Sequence, residues 1–163
     1  MFLKPAGLSG GKGALRFSRE SCADAVSQID SRHAYIVSNC VSNEGYSEKI
    51  NPHGVNTIRA YFFRPVGSSE LRLFRLFHRF GTRASAPADN LSRGGVVAEI
   101  DVHSGRLSEA LAPSHEVVRC AVHPESGEII QGVRVPDWAT KIGAIHEMLR
   151  CLFFSTLVRL ILR

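Results

Sequence analysis

The chain is short of the features that announce many common activities. Its four cysteines, Cys22, Cys40, Cys120 and Cys151, form no Cys-x-x-Cys pair. His115, Cys120 and His123 lack the second close pair that a structural zinc site shows, so metal binding there is disfavoured. There is no Ser/His/Asp order and no nucleophile elbow to support hydrolysis through a serine. No internal repeat and no low-complexity tract is present. The longest apolar stretch, Cys151 to Leu162, is about a dozen residues, is interrupted by Arg159 and falls short of the roughly 20 residues needed to span a bilayer. The N-terminus breaks from Met1-Phe2-Leu3 into Lys4-Pro5 and then glycine, which is not a secretory pattern. Free, reduced thiols and a cytoplasmic location are therefore expected. Neither an aromatic-interleaved RNA motif nor a helix-turn-helix pattern occurs. The net charge of +5 suits anionic ligands such as nucleotides, and a nucleic-acid reading rests on that charge alone.

What is present begins at residue 2. A short apolar strand, Phe2-Leu3, runs into Lys4-Pro5, and Leu15-Arg16-Phe17 resumes the strand pattern after a loop. That loop holds Gly7, Gly10, Gly11 and Gly13. Such glycine density lets the backbone take positive φ and lie against a ligand, and successive exposed amides make a nest for phosphate oxygens. Lys4 and Lys12 add positive charge. The loop is not the P-loop of nucleoside triphosphatases, because Ala6 stands at the first glycine position and Gly13 follows Lys12. Nor is it the dinucleotide fingerprint, whose glycine spacing and following helix are absent. Two readings stay open: a hairpin lid over phosphates, or a glycine-rich surface hairpin.

The rest of the chain reads as an α+β domain, mainly antiparallel sheet with few helices. Ser21 to Ile29 has helix character, with Ser18 or Ser21 as cap. Ala34 to Val37 reads as a buried strand, and Glu44 to His53 as polar and turn-rich. Strands are expected over Thr57–Phe63, Leu71–Phe80, Val96–Val102 and Val117–Val122, with a hairpin turn at Ser104-Gly105. Ala84 to Arg93 reads as a loop. From Asp137 as N-cap, Ile142, Ile145, His146, Leu149, Leu152, Phe153 and Thr156 share one helical face. The tail, Leu152 to Leu162, reads as an amphipathic helix in need of a partner surface.

The Lys-Pro strand with its glycine loop resembles the phosphate-covering loop of the ATP-grasp superfamily. In order along the chain, VNTIRAYFF (Val55 to Phe63), FGTRASAPADNLSRGGVVAEIDVHSGRL (Phe80 to Leu107), HPESGEIIQG (His123 to Gly132) and VPDW (Val135 to Trp138) resemble the sugar-transfer-associated ATP-grasp family. The resemblance covers nearly the whole chain. It implies a partial ATP-grasp domain, with residues 1–37 part of the nucleotide-lid subdomain and 38–163 part of the C-terminal subdomain. It also implies ATP and Mg²⁺ as cofactors and a small carboxylate or sugar-linked substrate. The activity implied is that of a carboxylate-amine or carboxylate-thiol ligase linked to exopolysaccharide or sugar-transfer pathways. The alternative is a truncated or degenerate, non-catalytic fragment. A further nucleotide lysine and the principal metal carboxylates of the family would lie beyond this chain's ends, so turnover by the chain alone is not expected.

Several residues could carry the chemistry. Lys4, Gly7, Gly10, Gly11 and Gly13 are the nucleotide-binding candidates, Lys4 neutralising charge during phosphoryl transfer. Arg59 shares a strand face with Thr57 and Tyr61, and is either a paired structural residue or an anion clamp; the resemblance at Asn56-Thr57-Ile58-Arg59 favours the clamp, the catalytic candidate. Arg79 and Arg83 are weaker candidates, since charges on edge strands are usually only solvated. Asp89 and Asn90 offer hard oxygen ligands for Mg²⁺ or form an Asx turn. Glu99 and Asp101 fit an exposed hairpin face better than a paired-carboxylate site. In the family an acidic residue often follows the strand at Ala34–Val37, but here Ser38-Asn39-Cys40-Val41 follow.

Overall fold

The structure is a computed structural model that describes residues 1–8, 12–43, 45–113, 116–151 and 159–162, with the main chain alone for residue 151 and for 159–162. In chain order the elements are β1 (Phe2–Pro5), β2 (Leu15–Arg16), α1 (Cys22–Ser27), β3 (Tyr35–Ser38), α2 (Tyr46–Ile50), β4 (Thr57–Phe63), β5 (Arg72–Phe80), a 3₁₀ turn (Leu91–Arg93), β6 (Val96–Ile100), β7 (Leu107–Ala112), β8 (Val118–Cys120), α3 (Trp138–Cys151) and β9 (Arg159–Leu162). They form a three-stranded sheet in the order β2-β1-β3 and a six-stranded sheet in the order β8-β7-β6-β5-β4-β9, antiparallel throughout. This is the α+β architecture expected, and the glycine loop is the connection of a hairpin rather than the start of a helix.

The core follows from period-two alternation on the large sheet. Ile58, Ala60 and Phe62 of β4, Leu76, His78 and Phe80 of β5, Val96, Ala98 and Ile100 of β6, and Leu107 and Ala110 of β7 are all buried. All but the histidine belong to one apolar cluster, completed by Trp138, Ile145 and Leu149 of α3. Helical spacing puts these α3 side chains on one stripe, as the periodicity predicts. Leu152, Phe153 and Thr156 lie outside the described residues. The opposite sheet face carries Thr57, Arg59 and Tyr61, which pair across the ladder with Arg79, Phe77 and Arg75. The sequence of β4 thus sorts itself: apolar residues toward α3, polar and aromatic ones toward the other side.

Three expectations are corrected. The strand at 34–37 forms, but it is not buried: Ile36 is 56% and Val37 52% exposed. Its apolar run matched a core strand, yet β3 belongs to a small sheet with little to pack on. Within Glu44–His53 a short helix, α2, appears instead of turns alone. At five residues it is too short to stand by propensity, and burial of Ile50 at its end holds it in place. Finally, Arg159–Leu162 is a strand, not amphipathic helix. It pairs with Ile58 to Tyr61 of β4, whose backbone groups would otherwise form a sheet edge. Residues 152–158 of that tail lie outside the described residues.

The turn before β7 is fixed by a close approach. Gly105 has φ +70°, and a Cβ there would sit 2.5 Å from Cγ of Trp138, whose indole N–H donates to the Val102 carbonyl at 2.9 Å. Gly105→Ala should therefore destabilise by about 2 kcal/mol or more, combining left-handed strain with overpacking. Gly127→Ala, at φ +73° but with open space around it, should cost only about 1–2 kcal/mol, from strain alone. Urea denaturation midpoints of the two variants check the difference.

Candidate functional site

The polar face of the large sheet converges on one cluster. Thr57 opens β4, and Arg79, the penultimate residue of β5, lies directly opposite it. Arg79 is 7% exposed, and its Nη2 pairs with Oδ1 of Asp89, itself 4% exposed. The Thr57 hydroxyl donates to Oδ2 of Asp89 and accepts from Nε and Nη2 of Arg79, the latter at 2.7 Å. Arg79 Nη1 donates to Oδ1 of Asn90 at 3.1 Å. Burial pushes the Asp89 carboxyl above its usual range, and the Arg79 charge, the Thr57 hydroxyl and the Arg59 charge act against that rise. Arg59 lies two residues along β4 from Thr57, on the same face. Its Nε is buried with no hydrogen-bond partner among the described residues.

Local sequence explains why the loop carrying Asp89 holds its place. The Ser85 hydroxyl donates to the carbonyl of Ala88 at 2.8 Å, and the Thr82 hydroxyl donates to that of Gly94 at 3.0 Å. Gly95 N–H donates to the carbonyl of Asn90, and a side chain at Gly95 would come within 2.8 Å of the Asp89 carbonyl oxygen. Behind the cluster three asparagines tie β4 to the preceding turn. The Asn43 amide donates to the carbonyls of Asn51 and Gly54, that of Asn51 to Oδ1 of Asn56, and that of Asn56 to the Ser47 carbonyl. Gly81 N–H, one residue beyond β5, donates to Oδ1 of Asn56, so the network also registers the end of β5. Apart from the turn signal at Asn51-Pro52, nothing in the spacing of these asparagines marked them.

A cleft lies where the small sheet faces this cluster. Phe2 and Arg16 line it from the small sheet, Ser38 to Val41 from the segment after β3, and Thr57, Arg79 and Asp89 from the large sheet. Of the residues singled out in the sequence, Arg59, Asp89 and Asn90 come together around Arg79. Lys4 is exposed on β1, on the same side of the strand as Phe2 by alternation, and does not line the cleft. Gly7 and Gly13 both take positive φ in the hairpin connection, and Gly13 packs on the Pro5 ring. Gly10 and Gly11 lie outside the described residues.

Arg79 is the residue that reading by spacing undervalued. It is not a solvated edge charge but a buried cation with a dedicated carboxylate, and the pairing of β5 between β4 and β6 is what buries it. Arg83, by contrast, stays exposed, its backbone N–H bound by Glu125. Glu99 pairs with Arg75 at 2.9 Å on the surface and Asp101 accepts from the Ser104 turn, as an exposed hairpin face requires. His123 is a structural residue: its Nε2–H donates to the Gly81 carbonyl at 2.9 Å and Nδ1 accepts from backbone amides of its own turn. His115 lies outside the described residues.

This combination defines an α+β domain with a cleft, lined by Arg16 and the Arg79–Asp89 pair, between a glycine-connected hairpin sheet and a larger antiparallel sheet. The chain belongs to the sugar-transfer associated ATP-grasp family, whose model matches residues 21–152. The match starts after the glycine loop, so the loop's assignment stands on its own geometry. Comparison with curated proteins and with solved structures gives no match. Among the described residues no helix is long and apolar enough to cross a membrane.

Breaking the buried pair should be costly. Asp89→Ala leaves Arg79 as a buried charge without its carboxylate and should destabilise by about 3–5 kcal/mol. Glu99→Ala removes an exposed partner of Arg75 and should cost about 1 kcal/mol or less. Equilibrium denaturation of the two variants separates a cluster that organises the fold from a surface pair.

Proposed function

We propose that this chain supplies the nucleotide-holding part of an ATP-dependent ligase that activates a carboxylate, with the triphosphate reaching from the cleft lined by Arg16, Thr57 and Arg79 toward Arg59, which lies beyond the cleft's lining on the same sheet face as Thr57. The observation that carries the reading is Arg59. Its buried Nε lacks a partner, beside a guanidinium–carboxylate pair that is already satisfied. A buried donor left unpaired costs about 1–3 kcal/mol, and an anionic oxygen would recover that cost. Arg16 at the cleft wall and Lys4 on the adjoining face supply further positive charge. Phe2 and Val41 offer apolar contact to a planar base. Bound ATP supplies the phosphoryl group that turns a carboxylate into an acyl phosphate.

The residues fit ATP better than they fit a cation. Both oxygens of Asp89 are engaged by Arg79 and Thr57, and Oδ1 of Asn90 accepts from Arg79. No group of three histidine, cysteine, aspartate or glutamate side chains that could hold a metal occurs among the described residues. In this reading Asp89 and Asn90 are positioning residues: they aim Arg79 rather than ligate Mg²⁺, and no step is assigned to a metal here. The hairpin between β1 and β2 covers the phosphates, and the acceptor substrate belongs to sugar-transfer or exopolysaccharide chemistry by family association. The same commitment of Asp89 to Arg79 favours a second reading, in which the chain binds nucleotide without turning it over.

Titration with a non-hydrolysable ATP analogue by calorimetry tests the proposal. Arg59→Gln should weaken binding about tenfold to a hundredfold, the value of one charge-assisted hydrogen bond. Arg75→Gln, on the same strand face but paired with Glu99 at the surface, should leave it unchanged. Chelating Mg²⁺ should change the affinity little. Unaltered affinity in Arg59→Gln would overturn the assignment, and steady ATP turnover by the chain would exclude the non-catalytic reading.

A further inference from the structure

On the core face of the large sheet, away from Arg59, a second cavity of about 530 Å³ opens between α2, the sheet and the start of α3. Tyr46, Ile58, His78, Val135 and Lys141 are among the residues that line it. His78 is 3% exposed, yet its Nδ1 has no hydrogen-bond partner among the described residues. Burial pushes its pKa down to about 3, the Arg79 charge acting with it and a backbone hydrogen bond with Arg79 against it, so the ring is neutral. Its ring stacks on Phe80 at 4.1 Å and meets the edge of Tyr46 at 5.7 Å. A phenylalanine would make both contacts without burying a polar atom. Packing therefore does not explain why an imidazole stands there.

Several other polar groups of the cavity are occupied among the described residues. The amides of Asn43 and Asn56 are committed to backbone carbonyls, and the Lys141 ammonium donates to the carbonyl of Pro136 at 2.9 Å. Asp137 and Lys141 oppose each other in charge at the rim, which gives no preference for an ion of either sign. Val41, Ile58, Val135 and the Tyr46 ring supply the apolar part of the wall. The size is that of an ordinary small-molecule pocket, about 300–1,000 Å³.

We infer that this cavity is a binding site, separate from the nucleotide cleft, for a small uncharged molecule with an apolar body and one hydrogen-bonding group directed at Nδ1 of His78. The neutral imidazole serves either a donor or an acceptor by choice of tautomer. The site does not depend on the nucleotide reading, because it lies on the other face of the sheet.

The experiment uses the full chain labelled with ¹⁵N at histidine, with phenol and pentanamide as aromatic and aliphatic probes. The expected result is a saturable shift of the His78 ring nitrogens with one of them. Lys141→Trp, which fills the cavity mouth from α3, should abolish it, and Arg59→Gln should leave it intact. His78→Phe should keep a thermal midpoint at or above that of the unaltered chain, because it removes an unsatisfied polar atom, and should bind neither probe by calorimetry. A shift that rises linearly without saturating with both probes, or that persists in Lys141→Trp, overturns the inference. So does a lowered midpoint for His78→Phe, which would show that the imidazole is a structural element.

Discussion

The buried pair of Arg79 and Asp89 is the constraint on which the rest of this structure depends. An arginine that is 7% exposed at the end of a central strand is tolerable only if its charge is matched and its donors are used. Asp89 meets the charge, and Thr57 and Asn90 take up donors. The cluster draws on three places in the chain: Thr57 at the start of β4, Arg79 near the end of β5, and Asp89 and Asn90 in the loop before the 3₁₀ turn. Satisfying one guanidinium thus locks two strands and a loop into a single arrangement. The asparagine network behind it does the same for the turn that leads into β4.

That arrangement has a consequence for Arg59. Arg59 shares its sheet face with Arg75 and Arg79, each of which pairs with a carboxylate, whereas Arg59 has no ion pair among the described residues. The local field is therefore positive beside a cleft whose far wall is the hairpin sheet. In the reading proposed above, such a cleft takes an anion with an apolar attachment, which is the shape of a nucleotide. The carboxylate that looks from its residue type like a metal ligand is engaged by Arg79 and Thr57, which is why the proposed reading treats the cluster as an aimed cation.

The core face of the same sheet tells the complementary story. There β4 to β7 present an apolar surface to α3, broken only by His78. One buried side chain whose Nδ1 has no partner among the described residues separates a second cavity from ordinary packing. The two faces of β4 and β5 thereby serve two chemistries: charge on one side, apolar contact with a single polar point on the other.

Much of this was determined by the chain's local pattern. The glycine density between Lys4 and Leu15 excludes a helix and forces a hairpin connection. The alternation in Thr57–Phe63 and the helical spacing of Ile142, Ile145 and Leu149 dictate which faces are buried, and ordered motifs from Val55 to Trp138 mark the family. Arg59, Asp89 and Asn90 were recognisable as polar residues that needed partners. Tertiary structure alone decided what those partners are. Spacing cannot show that Arg79 is buried, because its burial comes from β4 and β6 flanking it. It cannot show that Asp89 meets Arg79, since the two lie on separate elements. Nor can it show that Ile36 and Val37 are exposed while Arg159–Leu162 covers a strand edge. Periodicity reports which residues share a face of one element, and only the packing of elements against each other decides what that face meets.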